Sequence, residues 1–202
     1  MTILAHYFTN DEQAQSNEKT FKVNVVGKNF DFITDIGVFS KGELDDASRF
    51  LIETVDTLKL QGSILDVGCG YGAIGVVLAK LNPENMIHMI DVNLRAIDLA
   101  KRNAQKNGVS NVTVYESHCY ESVTGTFSHI ISNPPIRAGK KVVHEILEKS
   151  IEHLDIDGTL TIVIGKQHGA PSAMKKMEDV FGNCERLERK KGFWILRSVK
   201  KG

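Results

Sequence analysis

An apolar run, Ile64-Leu65-Asp66-Val67, leads straight into Gly68-Cys69-Gly70-Tyr71-Gly72-Ala73-Ile74-Gly75. Glycine lets the backbone turn sharply between a strand and a helix, and lets a ligand approach with no Cβ in the way. The N–H groups that open a helix, with its dipole, then favour an anionic group such as a phosphate or a carboxylate. Asp91 ends the next apolar run, 21 residues past Gly70, where a carboxylate can accept hydrogen bonds from ribose hydroxyls. Taken alone, Gly70 to Gly75 also describes a plain strand-to-helix turn, and Asp91 a helix cap. Together they point to a cofactor that carries a nucleoside, either a dinucleotide or S-adenosylmethionine. Asp66 favours the second. It can accept hydrogen bonds from the loop or from the ammonium of an amino-acid tail, whereas a pyrophosphate would repel it.

A second chemical segment is Ile130-Ile131-Ser132-Asn133-Pro134-Pro135-Ile136. Two prolines fix φ and remove two N–H donors, which leaves a stiff backbone offering only carbonyl acceptors. Asn133 adds an amide that both donates and accepts. An exocyclic amino group on a planar base needs such acceptors to hold its N–H bonds while its lone pair faces an electrophilic methyl. Asn-Pro is also a common turn initiator. Its place at the carboxyl end of a parallel strand, where open α/β sheets bind ligands, is what makes the segment specific.

Elements to position these loops are legible in the hydrophobic pattern. Short apolar runs at Ser63–Val67, Met86–Ile90, Val112–Tyr115, His129–Ser132 and Thr159–Ile164 alternate with amphipathic stretches, the sign of β-α units and a mostly parallel sheet. Leu94, Ile97, Ala100 and Ala104 recur at helical spacing, as do Val143, Ile146, Leu147, Ile151 and Leu154. Pro171, with Ala173, Met174, Met177, Val180 and Phe181 before Gly182, marks a further helix. Cys184–Glu188 and Phe193–Val199 around Lys190-Lys191-Gly192 predict a hairpin, which places one antiparallel strand in a seven-stranded sheet. Near the N-terminus, Phe21–Val26 and Phe30–Thr34 around Gly27-Lys28-Asn29 predict another hairpin, and Leu44 to Leu58 a helix. The expected organisation is an extension over residues 1–42 and a core over 43–202, within one compact unit.

The chain has 202 residues, with 25% charged and 42% hydrophobic, which is ordinary globular composition. Such values exclude a disordered chain, a collagen and a coiled coil. The longest apolar stretch, Ala73 to Ala79, is far short of the roughly 20 residues of a membrane span. No basic, apolar leader opens the sequence. Cys69, Cys119 and Cys184 are odd in number and contain no Cys-x-x-Cys. We therefore expect reduced thiols in the cytoplasm, with neither disulfides nor a zinc site, and no membrane partner. Lys plus Arg and Asp plus Glu both number 25, so tight nonspecific nucleic-acid binding is not expected, though a local basic patch can exist. Arg137, Lys140 and Lys141, and Lys190, Lys191, Lys200 and Lys201, are the candidate basic spots, each equally readable as a solvated face.

Asp66-Val67-Gly68-Cys69-Gly70-Tyr71-Gly72 resembles motif I of class I methyltransferases, whose Rossmann-like sheet also carries one late antiparallel strand. Asn133-Pro134-Pro135-Ile136 resembles motif IV of methyltransferases that modify amino nitrogens. With Asp35-Ile36-Gly37-Val38-Phe39-Ser40-Lys41-Gly42-Glu43-Leu44-Asp45, the chain is similar to the catalytic half of 16S ribosomal RNA guanine-N2 methyltransferases of the C type, and to their shorter single-domain relatives. The resemblance implies S-adenosylmethionine as cofactor, held by Gly68, Cys69, Gly70 and Gly72 at the methionine tail. Asp66 would face its ammonium, Asp91 its ribose and Val92 its adenine. Asn133 and the Pro134 carbonyl would hold the target amine, with Pro135 and Ile136 completing the loop. Two departures stand out. Ile136 replaces a common aromatic, which points away from DNA adenine. His118, beside Cys119, stands where relatives carry an Asp taken to contact the adenine amino group. His6, Tyr7 and Phe8 would dock the N-terminus or close over the site. The implied partner is 16S RNA or the 30S particle. Other readings are amino methylation of protein glutamine, transfer RNA or DNA adenine, a nicotinamide-dependent oxidoreductase, and a noncatalytic RNA-binding relative.

Overall fold

A computed structural model describes residues 16–36, 38 and 42–202. His6, Tyr7 and Phe8, and Gly37, Phe39, Ser40 and Lys41, lie outside the described residues.

The sheet is built from short strands whose apolar side chains alternate between two covered faces. Strands β3 (Ile64–Val67), β4 (Ile87–Asp91), β5 (Val112–Glu116), β6 (Phe127–Ser132) and β7 (Leu154–Gly165) run parallel. Strands β8 (Glu185–Lys190) and β9 (Phe193–Val199) form the closing hairpin. Their order is β5-β4-β3-β6-β7-β9-β8, with β9 antiparallel to both neighbours. This is the mostly parallel seven-stranded sheet expected of a class I methyltransferase fold. Period-two alternation sends Ile64, Met89, Ile131 and Ile195 to one core and Leu65, Ile90, Ile130 and Leu196 to the other. Helices α1 (Asp46–Thr57), α2 (Ala73–Leu81) and α3 (Leu94–Lys106) cover the first face. Helices α4 (Lys140–Lys149) and α5 (Ala170–Phe181) cover the second. Asp66, with the parity of Ile64, therefore points beneath α2.

The N-terminal hairpin pairs β1 (Lys19–Val25) with β2 (Lys28–Thr34) as a separate two-stranded sheet. It is fastened to α3 by two asparagines one helical turn apart. Asn103 accepts from Ile33 N–H (2.8 Å) and donates to Ile33 O (2.9 Å) and Tyr71 O (2.8 Å). Asn107 repeats the pair of bonds with Asp31, at 3.0 and 2.9 Å. Two side-chain amides thus imitate a neighbouring strand for the free edge of β2, and satisfy backbone groups that would otherwise be stranded.

Three local expectations are corrected. The first hairpin turns at Val26-Gly27, both at positive φ (47° and 73°), not over Gly27-Lys28-Asn29. A two-residue turn of this hand matches strand twist, and the register Val25↔Lys28 leaves no longer loop. The second hairpin likewise turns at Lys191-Gly192, and β8 extends to Lys190. Leu154, read as the last apolar position of the helix that carries Val143, Ile146, Leu147 and Ile151, begins β7 instead. A single 3₁₀ turn, Ser150–His153, carries the apolar spacing past the end of α4, so the period persists after the helix has stopped.

Candidate active site

The topology reverses between β3 and β6. Chain leaving β3 crosses to β4 on one side, while β6 lies on the other, so their carboxyl-end loops face a shared crevice. Ser132, at the tip of β6, donates its hydroxyl to Val67 O at 2.7 Å and ties the two strand ends together. A Cβ added to Gly68 would lie 3.8 Å from Pro135 Cδ, which places the glycine loop against the proline loop. A Cβ on Gly70 would lie 4.0 Å from Val38 Cγ1, so the segment before α1 covers the other side.

Backbone geometry explains the glycines. Gly68, Gly70 and Gly72 have φ of 74°, 55° and 88°, the left-handed region that side chains rarely adopt. Gly75 is set by packing instead: a Cβ there would overlap Met89 Sδ and Cγ, so the Met89 side chain would have to shift. The loop is held by Gly68 and Cys69 N–H groups donating to Ile90 O, both at 2.9 Å. Cys69 itself is buried, its Sγ directed to Gly70 O at 3.5 Å, and burial first, then Asp91 and Asp66, push its thiol pKa up. It is a packing residue of the loop rather than a nucleophile.

Two carboxylates underlie this loop. Asp66 is fully buried and its Oδ2 accepts from Gly75 N–H at 3.0 Å. Its Oδ1 is buried with no hydrogen-bond partner among the described residues. Burial raises its pKa to about 7, the Gly75 bond opposing and Asp91 reinforcing. Asp91 accepts from Gly70 N–H through Oδ2 and from Asn93 N–H through Oδ1, each at 2.9 Å. Burial raises its pKa too, against the backbone bonds from Asn93, Gly70 and Val92. Each carboxylate oxygen carries two lone pairs, so Asp91 can hold the loop and still accept from a ligand hydroxyl. Val92 follows, half-buried. A glycine cradle, an unpartnered buried acceptor and a strand-end carboxylate are a donor and acceptor set that fits S-adenosylmethionine.

Asn133 is half-buried, and its Nδ2 donates to Ser48 Oγ (3.1 Å) and Asp45 Oδ1 (3.4 Å). The same Asp45 oxygen caps α1 by accepting from Ser48 N–H at 2.9 Å. An ionised carboxylate only accepts, so the Asn133 amide must turn its NH₂ toward Asp45. Its carbonyl oxygen is thereby directed away from Asp45 and Ser48. Sequence reasoning missed Ser48, and placed Asp45 in a motif without a role. The available signal was Asp45, an N-cap residue type just before the amphipathic helix, whose cap bond goes to Ser48 N–H. Pro134 is buried; Pro135 and Ile136 are half-buried, with Ile136 packed on the α4–α5 core.

Asp35 organises the approach to this cleft. It accepts from Ser16 Oγ, Asn17 N–H and Ile36 N–H at 2.8, 2.7 and 2.6 Å, and Arg95 lies 3.4 Å away. Burial alone would raise its pKa, but these bonds and Arg95 hold it below the usual carboxylate range.

His118 and Cys119 follow β5. Ser117 N–H donates to Asp91 O at 3.0 Å, which joins this loop to the end of β4. The His118 side chain is 46% exposed, with Glu121 3.5 Å from its Nδ1. Cys119 is buried. The basic spots divide. Lys190 pairs with Glu53 (3.4 Å) and Lys191 with Asp46 (3.3 Å), both on α1. Both pairs join the closing hairpin to α1. Arg137, Lys140 and Lys141 are exposed beside the proline loop. No helix among the described residues is long and apolar enough to cross a membrane.

Residues 29–197 match the family model described as methyltransferase small domain. The chain belongs to this family. It is 48% identical over 197 residues to the uncharacterized protein YbxB of Bacillus subtilis, covering 96% of this chain and 98% of that one. It is 42% identical over 131 residues to ribosomal RNA small subunit methyltransferase C of Aeromonas hydrophila, covering 63% of this chain but 37% of that protein. The structure of the 16S rRNA N2 G1207 methyltransferase of T. thermophilus, in complex with AdoMet and guanosine, superimposes with a TM-score of 0.83 at 23% identity. That match covers 93% of this chain and 52% of the other. The chain thus spans about half or less of these ribosomal RNA methyltransferases. The resemblance to class I methyltransferases, and S-adenosylmethionine as the methyl donor, agree with the family. The nicotinamide reading gives way to it.

Proposed function

We propose that this protein transfers a methyl group from S-adenosylmethionine to an exocyclic amino nitrogen, guanine N2 of 16S ribosomal RNA. The observation that carries the reading is the fixed amide of Asn133. Its NH₂ is held by Asp45 and Ser48, and its oxygen is left for a substrate amine beside the glycine loop. Bound cofactor would supply an electrophilic methyl group. Gly68, Gly70 and Gly72, with their N–H groups turned inward to Ile90 O, Asp91 Oδ2 and Cys69 O, would present a Cβ-free backbone against the methionine tail, Asp66 would take its ammonium side, and Asp91 its ribose. Asn133 Oδ1 and the Pro134 carbonyl would accept the two amine hydrogens and so aim the nitrogen lone pair. Positioning of this kind is worth several kcal/mol without a covalent intermediate or a dedicated base. The guanine and ribosomal assignments draw on the Aeromonas and T. thermophilus relatives.

The test is methyl transfer from labelled S-adenosylmethionine into unmethylated 30S subunits, free 16S RNA and bulk transfer RNA, with digestion to nucleosides. N2-methylguanosine in 16S RNA, abolished by Asn133→Ala at unchanged cofactor affinity, is the expected result. Label in transfer RNA alone, or in no RNA despite cofactor binding, refutes the substrate assignment.

A further inference from the structure

One cluster of ligating side chains takes no part in the methyl transfer proposed above, although the resemblance sets His118 at an adenine-contacting position. His118, Cys119 and Glu145 each offer a donor atom, and the three atoms all lie within 4.8 Å of one another. Consecutive residues of an extended chain point to opposite faces. Here Cys119 adopts a left-handed backbone conformation (φ 48°), and the chain turns so that its Sγ and the His118 imidazole converge. Glu145 reaches the same point from α4, so the donors come from two separate elements.

We propose that His118, Cys119 and Glu145 form a binding site for a thiophilic divalent cation, Zn²⁺, with a fourth position open to water or to Glu121. One nitrogen, one sulfur and one carboxylate oxygen are a donor set suited to zinc, whereas magnesium and calcium take oxygen ligands. Zinc bonds of about 2.0–2.3 Å place tetrahedral donors roughly 3.3–3.8 Å apart. His118 is the group free to close the remaining gap, because its side chain is 46% exposed while Cys119 is buried. Glu121 lies 3.5 Å from His118 Nδ1, within reach of the same centre. Glu145 accepts from Lys149 Nζ through Oε1 at 2.7 Å, which leaves Oε2 for the metal. On binding, the Cys119 thiol passes its proton to solvent and the thiolate becomes the ligand. The bound ion would link the loop after β5 to α4, next to the Ser117–Asp91 contact at the edge of the cleft. The absence of Cys-x-x-Cys hid this site, because its third donor stands 26 residues after Cys119 in sequence. The proposal stands apart from the methyltransferase reading, since binding is measured without cofactor or RNA.

The probe is Co²⁺, titrated into the full chain with a non-thiol reductant present. The expected result is one equivalent bound, with thiolate-to-cobalt charge-transfer absorption and tetrahedral visible bands, both removed by Zn²⁺. Cys119→Ser should abolish the charge-transfer band, and Cys184→Ser should leave it intact. His118→Ala, at an exposed position that does not threaten folding, should weaken affinity by about tenfold or more, as should Glu145→Gln. No charge-transfer band on the wild type, or a band that survives Cys119→Ser, overturns the proposal. So does unchanged affinity in His118→Ala.

Discussion

Replacing Ser48 and Asp45 by alanine, singly and together, should release Asn133 from its fixed orientation. Ser48→Ala removes the 3.1 Å bond to Nδ2. A neutral side-chain bond contributes about 1 kcal/mol net, so kcat should fall roughly fivefold. Asp45→Ala removes the longer 3.4 Å bond and also the 2.9 Å cap on Ser48 N–H. Losing an N-cap costs about 0.5–2 kcal/mol of stability, or roughly 2–4 °C in Tm per kcal/mol for a chain of this size. The double variant leaves Nδ2 with neither partner, and the amide can then rotate to present a donor to the substrate's own donor. Such a mismatch costs about 1–3 kcal/mol, on the order of 5- to 150-fold in kcat. Because both residues act on one amide, the two effects should not add independently. The assay is kcat at saturating cofactor and RNA, with calorimetric Kd for S-adenosylmethionine and a thermal melt for each variant. A folded double variant with wild-type kcat refutes the orientation argument. So does a loss that appears wholly in cofactor affinity.

Asp66 predicts a pH-dependent stability. Its folded pKa of about 7 exceeds the unfolded carboxylate's, about 3.9. The contribution is therefore complete below about pH 4, is lost as pH rises toward 7, and changes no further above that. Asp66→Asn removes this slope, so urea unfolding should show it gaining on the wild type by a few kcal/mol between pH 4 and pH 8; an equal difference at both pH values contradicts the burial of this carboxylate on a single hydrogen bond from Gly75. Gly75→Ala forces a methyl onto Met89 Sδ and Cγ. It should cost about 1–3 kcal/mol by overpacking, read as a lower urea midpoint, and an unchanged midpoint would show that the Met89 side chain yields without cost. Neutralising Arg137, Lys140 and Lys141 should reduce the salt dependence of RNA affinity by about 0.7–0.9 in log–log slope for each lost phosphate contact. Neutralising Lys190 and Lys191, which face Glu53 and Asp46, should leave that slope unchanged; the reverse pattern would move the RNA interface to the closing hairpin.

Much of the fold is written in local pattern. Each parallel strand is a short apolar run feeding a turn, and Pro171 and Gly182 bracket α5 as a helix start and stop. Such signals are legible because they depend on neighbours a few residues apart. Errors came where two local patterns overlapped. The apolar spacing of α4 continues smoothly into Leu154, although a 3₁₀ turn has already ended the helix. At Val26-Gly27 the strand-like valine is forced to positive φ by the pairing of Val25 with Lys28, which no local preference of valine announces.

The site divides along the same line. Glycine spacing, Asp66, Asp91 and Asn-Pro-Pro-Ile are fixed by what glycine, proline and carboxylate can do, so sequence alone names them and the chemistry they suit. Which way Asp66 points depends on strand parity beneath α2. Which face Asn133 offers depends on Asp45 and Ser48, 88 and 85 residues away. Whether lysines are free depends on the acids that fold opposite them. His118, Cys119 and Glu145 become a cluster only when α4 returns across the sheet. Residue type sets which bonds a group can make, and that is local. Only the closed tertiary structure decides which partner stands within about 3 Å to make them.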